Sequence, residues 1–133
     1  MKYLSYLIVL AIFLTPAFAG DAADPIAAEA DKCFKTPQGE TTAGMTACSH
    51  QAYIAYDKQM NELYRRVMES VDPQSQERIR EAQRRWLAYR DAQRRADDGP
   101  WRADRGSMAS PDIEAMNIDA VRQRIQELRY YAP

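Results

Sequence analysis

Residues 72–100 read DPQSQERIREAQRRWLAYRDAQRRADDGP. Both ends of this stretch are punctuated. Asp72 is a good N-cap, and Pro73 fits the first helical position, where its missing N–H is no loss. At the other end stands Asp97-Asp98-Gly99-Pro100, in which glycine suits a left-handed C-terminal cap and proline cannot continue a helix. The spacing predicts one helix from Pro73 to about Ala96, roughly 36 Å long at 1.5 Å per residue. It turns Ile79, Ala82, Trp86 and Tyr89 towards a core.

Upstream, a helical period begins at about Thr42. Met45, Ala52, Tyr56, Gln59, Leu63 and Val67 recur at spacings of three, four and seven. A second stripe of Tyr53, Asp57, Met60, Tyr64 and Val71 lies beside it. So wide a face suits a helix with neighbours on two sides. Downstream, residues 99–109 read as a loop carrying Trp101, Arg102, Arg105, Gly106 and Ser107. Ser110-Pro111 then repeats the cap-plus-proline start, and a last helix to about Tyr130 places Ile113, Met116, Ala120, Leu128 and Tyr131 on one face. No strand pattern and no internal repeat is present.

The N-terminus reads as a targeting segment. Lys2 precedes an apolar run from Tyr3 to Leu14, and Ala17-Phe18-Ala19 has small residues where a signal peptidase reads. The alternative, an uncleaved anchor, needs about 20 apolar residues, and this run falls short. Residues 1–19 are therefore expected to be a signal peptide, 20–40 a flexible leader that becomes ordered near Cys33, and 41–133 a helical domain. Gly20 rather than a cysteine follows Ala19, which excludes the usual lipid-anchored route. The address implied is periplasmic or secreted, with no membrane insertion after cleavage.

Losing Lys2 with the leader takes 18 basic residues to 17, against 19 acidic ones, a net charge near −2. A nucleic-acid binder would show a basic excess, so nucleic acid is not an expected partner. Cys33 and Cys48 are the two cysteines. An even count in an exported chain favours a bridge, with two free thiols or a metal pair as the alternatives. His50 is the only histidine, so a Cys/His metal site lacks ligands. The expected fold is all-α: a three-helix, mainly antiparallel bundle with a disulfide-pinned N-terminal segment.

Polar residues stand where apolar ones belong. Counted at about 100° per residue from Ile79, Gln83 falls at about 40°, Trp86 at −20° and Arg90 at 20°. Arg124 lies between Ala120 and Leu128 on the last helix. A buried arginine needs a partner. Asp57 is the first choice for Arg90, and Glu62 or Asp91 for Arg124. Asp57, Gln83, Trp86, Arg90, Asp91 and Arg124 thus form a candidate polar core that fixes helix register; the other reading is a partner-binding pocket lined by Trp86 and Arg90. Catalysis has no support: the sequence contains no G-x-S-x-G, no H-E-x-x-H and no glycine-rich phosphate loop. His50 alone makes no triad. No enzyme activity and no cofactor are expected.

These residues resemble the lysozyme-inhibitor LprI-like N-terminal domain family from about Cys33 to Leu128. The first family element is met by Cys33, Thr42, Met45 and Cys48. The second is met by Asp57, Met60, Asn61 and Tyr64, with methionine for the usual leucine. The signature A-Q-x-x-W-x-x-Y/F-R-D-A is present in full as Ala82, Gln83, Trp86, Tyr89, Arg90, Asp91 and Ala92. Gly106 and Ser107 partly meet a Gly-Gly-Ser loop, and Arg124 and Leu128 the closing element. Relatives commonly carry two more cysteines, at the positions of Arg94 and Met116 here. Their joint absence is what losing one bridge as a unit leaves, and it supports pairing Cys33 with Cys48. The resemblance implies an exported helical domain and, for some members, binding and inhibition of lysozyme. A muramidase cleft holds two catalytic carboxylates that invite hydrogen-bond donors. Trp101 is then the candidate anchor, with Arg102, Arg105 and Ser107 as donors; the plainer reading folds Trp101 back on the bundle. The expected partner is a protein, a lysozyme on the first reading. The alternative function is a non-catalytic periplasmic adaptor.

Overall fold

The computed structural model describes residues 23–132. The signal-peptide expectation for residues 1–19 lies outside them. Four α-helices and one 3-10 helix follow in order: α1 Pro25–Phe34, α2 Thr42–Ser70, α3 Pro73–Asp97, a 3-10 turn Pro100–Arg105, and α4 Ala109–Arg129. No strand occurs among the described residues. The three long helices form the bundle. Arg90 and Gln83 of α3 meet Asp57 and Met60 of α2, so α2 and α3 run antiparallel. Thr46 and His50 share a cavity with Ile113 and Glu114, and Tyr56 and Gln59 share another with Arg122 and Gln126; α2 and α4 therefore run parallel.

The caps explain the boundaries. Thr41 accepts from the Gly44 N–H at the start of α2, and Asp72 accepts from the Gln74 and Ser75 N–H groups at the start of α3, both at 3.0 Å. The Gln76 side chain donates back to the carbonyls of Met68 and Val71, at 2.8 and 3.2 Å. It satisfies acceptors that the end of α2 leaves open and sets the turn between the two helices.

Both expected stripes of α2 face inward: Ala52, Tyr53, Tyr56, Met60, Leu63 and Val67 are buried and form the core with Val121, Ile125 and Leu128 of α4, while Met45, Asp57, Gln59, Tyr64 and Val71 are half-buried. Val121 and Ile125 were not among the expected core positions, whereas Met116, which was, is 56% exposed. Met116 lies about 120° from Leu128 at 100° per residue, on the far side of the helix. Tyr131 is likewise exposed. From α3 only Ile79 joins the buried apolar cluster. Its buried residues are Ile79, Gln83 and Asp97. The inner arc of α3 thus mixes Ile79 and the partly buried Trp86 with Gln83 and Asp97, and its backbone stands further from the others than α1 or α4 does from α2. Tyr89, expected inward, is 62% exposed, because it lies about 80° from Ile79.

Residues 20–40 are not simply a flexible leader: α1 occupies much of this span. Asp24-Pro25 repeats the cap-plus-proline signal of Asp72-Pro73, and Asp24 accepts from the N–H groups of Ile26 and Ala27. The helix is short, and tertiary ties hold it, as expected for so few turns. One tie is the Cys33–Cys48 disulfide, with Cα atoms 5.8 Å apart. Another is the Tyr56 hydroxyl, which donates to Asp24 at 2.6 Å. Burial pushes the Tyr56 hydroxyl up, and the hydrogen bond to Asp24 adds to this, to about 12. Between α1 and α2 the chain turns so tightly that a Cβ on Gly39 would meet the Cys33 carbonyl oxygen at 2.0 Å.

Candidate functional site

The connection between α3 and α4 departs from expectation at both ends. Gly99 is extended, at φ −67° and ψ 163°, not left-handed. It precedes Pro100, and a residue before proline is pushed to the β region. Glycine serves another purpose there, since a Cβ on Gly99 would meet Trp101 Cδ1 at 2.8 Å. The left-handed-side backbone falls at Gly106, at φ 70°. Helix α4 starts at Ala109, with Met108 at the N-cap and no side-chain cap. Ser110 is therefore not the cap: its hydroxyl accepts from Arg102, and Pro111 is buried inside the first turn.

Trp101 is both tied back and exposed. Its indole N–H donates to the Ala96 carbonyl at 2.7 Å, while 43% of the residue faces solvent. The Arg105 guanidinium lies 5.8 Å from the ring centroid, within cation–π range. Arg102 donates to Asp98 at 2.8 Å and to Ser110 at 2.7 Å, so it braces the loop against α3 and α4. Ser107 is exposed beside Gly106. The connection thus presents a fixed aromatic ring, one stacked arginine and one open hydroxyl.

The polar residues expected in the core divide into two sets. Arg90 donates to Asp57 at 2.8 Å and lies 5.4 Å from the Trp86 ring centroid. Arg124, 6% exposed, donates to Gln83 at 2.8 Å and to Glu127 at 2.7 Å. Neither Glu62 nor Asp91 is its partner. Asp91 is mostly exposed and sits 3.5 Å from Arg90. Gln83 and Glu127 lie on the arc Arg124 faces, Glu127 one turn along the same helix; sequence spacing favoured acids and overlooked the amide as an acceptor.

Trp86 and Arg90 also border a cavity of about 250 Å³ between α3 and α4, with Tyr89, Gln93, Met116 and Asn117. A second cavity of about 250 Å³ adjoins it and shares Asp97 and Asn117. It lies where α2, α3 and α4 meet beneath the Trp101 connection, and the sequence did not single it out. His50 Nδ1 is 3.4 Å from Glu114 Oε1 there. Arg94 lies 4.4 Å from the Tyr53 ring centroid. Burial pushes the Tyr53 hydroxyl up, opposed by Arg90 and Arg94.

Among the described residues no group of three or more His, Cys, Asp or Glu could hold a metal, and no helix is long and apolar enough to cross a membrane. Neither a curated protein nor a solved structure matches the chain significantly. Residues 33–128 match the family model described as lysozyme inhibitor LprI. That span runs from the first cysteine of the disulfide to the last buried residue of α4 and takes in the Arg90–Asp57 and Arg124–Gln83 ties, so the chain belongs to the lysozyme inhibitor LprI family.

Proposed function

We propose that this protein is exported and binds a lysozyme, with the α3–α4 connection entering the muramidase cleft. The observation that carries the reading, beside family membership, is Trp101: an aromatic ring held rigid by its own hydrogen bond yet 43% exposed. A fixed side chain loses little freedom on binding, which favours affinity. Arg105 is the donor aimed at the cleft carboxylates and Ser107 a second, while Arg102 holds the connection in place. Nothing in this mechanism requires chemistry; occupying the cleft is sufficient.

The test is a lysis assay with the purified protein and several lysozyme types. Inhibition is expected at micromolar protein, and Trp101→Ala/Arg105→Ala should weaken it by at least ~30-fold, about 2 kcal/mol for a hot spot. Absence of inhibition with every type removes the reading. Inhibition indifferent to the double change moves the site elsewhere.

A second reading, a non-catalytic envelope adaptor, draws on a different observation. Tyr89 and Met116 are 62% and 56% exposed on the rim of the Trp86–Arg90 cavity, an apolar rim of the sort that partner proteins cover. A partner whose capture fails with Tyr89→Ala/Met116→Ala, in a chain that inhibits no lysozyme, would favour it.

A further inference from the structure

We propose that Gly99 is the positioning residue of the recognition ring: the side chain it lacks is the slot in which Trp101 is locked. The inference rests on the lysozyme-binding reading and adds how the contact is held ready. Gly99 has no backbone reason to be glycine. At φ −67° and ψ 163° it stands in the extended region open to every residue, the region that the following Pro100 favours. Gly106 is the contrast: its φ of 70° calls for glycine, and a Cβ there would meet nothing within 4 Å. A Cβ on Gly99 would instead lie 2.8 Å from Trp101 Cδ1, 3.1 Å from Trp101 Nε1 and 3.0 Å from the Ala96 carbonyl oxygen. The indole nitrogen and that oxygen are donor and acceptor of one hydrogen bond, 2.7 Å long. The space of the missing methyl is what lets the two meet.

A side chain at this position forces either the backbone or the ring to move. The backbone is pinned. The Gly99 N–H donates to the Ala96 carbonyl at 3.1 Å, and the Gly99 carbonyl accepts from the Arg102 N–H at 3.1 Å. Pro100 fixes the next φ, and the Arg102 side chain ties the connection to Asp98 and Ser110. The ring is the part that yields, because 43% of Trp101 already faces solvent. Swinging out loses it the Ala96 bond and the stack with Arg105, whose guanidinium lies 5.8 Å from the ring centroid. The Ala96 carbonyl belongs to the last turn of α3, where acceptors are left open. It keeps the Gly99 N–H and turns its second lone pair to water. Gly99→Ala therefore loosens the ring without loosening the fold, and a partner must then order the ring as it binds.

The ring can be watched directly. The chain has two tryptophans, Trp86 and Trp101, so two indole N–H resonances are expected, and Trp101→Phe assigns them by removing one. In Gly99→Ala the Trp101 resonance should move upfield and exchange faster with solvent as the bond to Ala96 is lost, while the urea midpoint stays at the parent's. In the lysis assay Gly99→Ala should inhibit about three- to tenfold more weakly, the cost of ordering one side chain on association, and less weakly than Trp101→Ala/Arg105→Ala. Adding Gly99→Ala to Trp101→Ala should change inhibition no further. Trp101→Phe keeps a ring and the glycine but removes the donor; it should weaken inhibition likewise, and it carries the test should Gly99→Ala fail to fold. An unmoved Trp101 resonance in Gly99→Ala, or inhibition as strong as the parent's, overturns the inference. So does a further loss when Gly99→Ala is added to Trp101→Ala, because the glycine would then act through the backbone. If the parent inhibits no lysozyme, the lysozyme reading falls, and the indole resonance still decides whether Gly99 sets the ring.

Discussion

Gln83 and Arg124 form a coupled pair, and replacing one should harm the protein more than replacing both. Gln83 is 4% exposed, and its carbonyl oxygen accepts from Arg124 Nε at 2.8 Å. Gln83→Leu keeps the volume and opens no cavity. It removes a hydrogen bond to a charged group, about 1.5–3 kcal/mol, while the added apolar burial returns under 1 kcal/mol. The guanidinium already has one buried nitrogen without a protein partner, Nη2, so a second orphan falls on a site with little remaining solvation. The expected net loss is about 2 kcal/mol, roughly 8–15 °C in melting temperature for a domain of this size. Arg124→Met on that background removes the buried charge itself. Glu127 then loses a partner, but its side chain is 43% exposed and rehydrates. Replacing a buried ionic group by a packed apolar one is often neutral or stabilising, so the double variant should lie within about 1 kcal/mol of the parent. The assay is urea unfolding followed by both tryptophan fluorescence and far-ultraviolet circular dichroism, whose coincidence checks two-state behaviour. If the double variant loses the sum of the two single losses within about 0.5 kcal/mol, the pair is not a coupled unit and the reasoning fails.

Removing the bridge with Cys33→Ala/Cys48→Ala should lower stability by about 3 kcal/mol, the value for a loop of about 15 residues, and an unchanged urea midpoint would contradict it. Asp24 is pushed up by burial but held lower overall by the Tyr56 hydroxyl, the Ala27 and Ile26 N–H groups and Arg122. Its folded pKa is therefore below its unfolded one, so its contribution is present above about pH 4 and lost as pH falls through the folded value; amides of α1 should lose exchange protection there before those of α2, and simultaneous loss would refute this. Asp24→Asn should abolish that early acid step. Gly39→Ala should destabilise by at least ~2 kcal/mol through overpacking, because the Cβ would meet a backbone oxygen at 2.0 Å rather than a yielding side chain; a melting temperature equal to the parent's would show that the turn can open.

What could be read from the chain follows the physics of each signal. Helix α2 was legible because it packs on two sides and so shows two stripes. The start of α3 was legible because its cap acts locally, and that of α2 because its period begins there. Helix α1 was missed although Asp24-Pro25 has the same form as Asp72-Pro73, since ten residues give too little period to register. Pairing of Arg90 with Asp57 could be guessed from facing stripes. The pairing of Arg124 with Gln83 could not, because an amide acceptor leaves no charge signal. The cavity around Arg94 and Glu114 depends on where three helices converge, which no local spacing encodes.

The staple and the connection share one end of the bundle: Cys48 is two residues from His50, which lies with Arg102 and Ser110 around the same cavity. The far end, where α2 hands over to α3 and where α4 finishes at Tyr130, has no covalent clamp. The staple joins α1 to α2 alone, so what it guards is the seating of the first helix. The connection that carries Trp101 rests instead on hydrogen bonds, from Trp101 to Ala96 and from Arg102 to Asp98 and Ser110. Reduction should therefore unseat α1 and leave the tip that carries Trp101 in its shape.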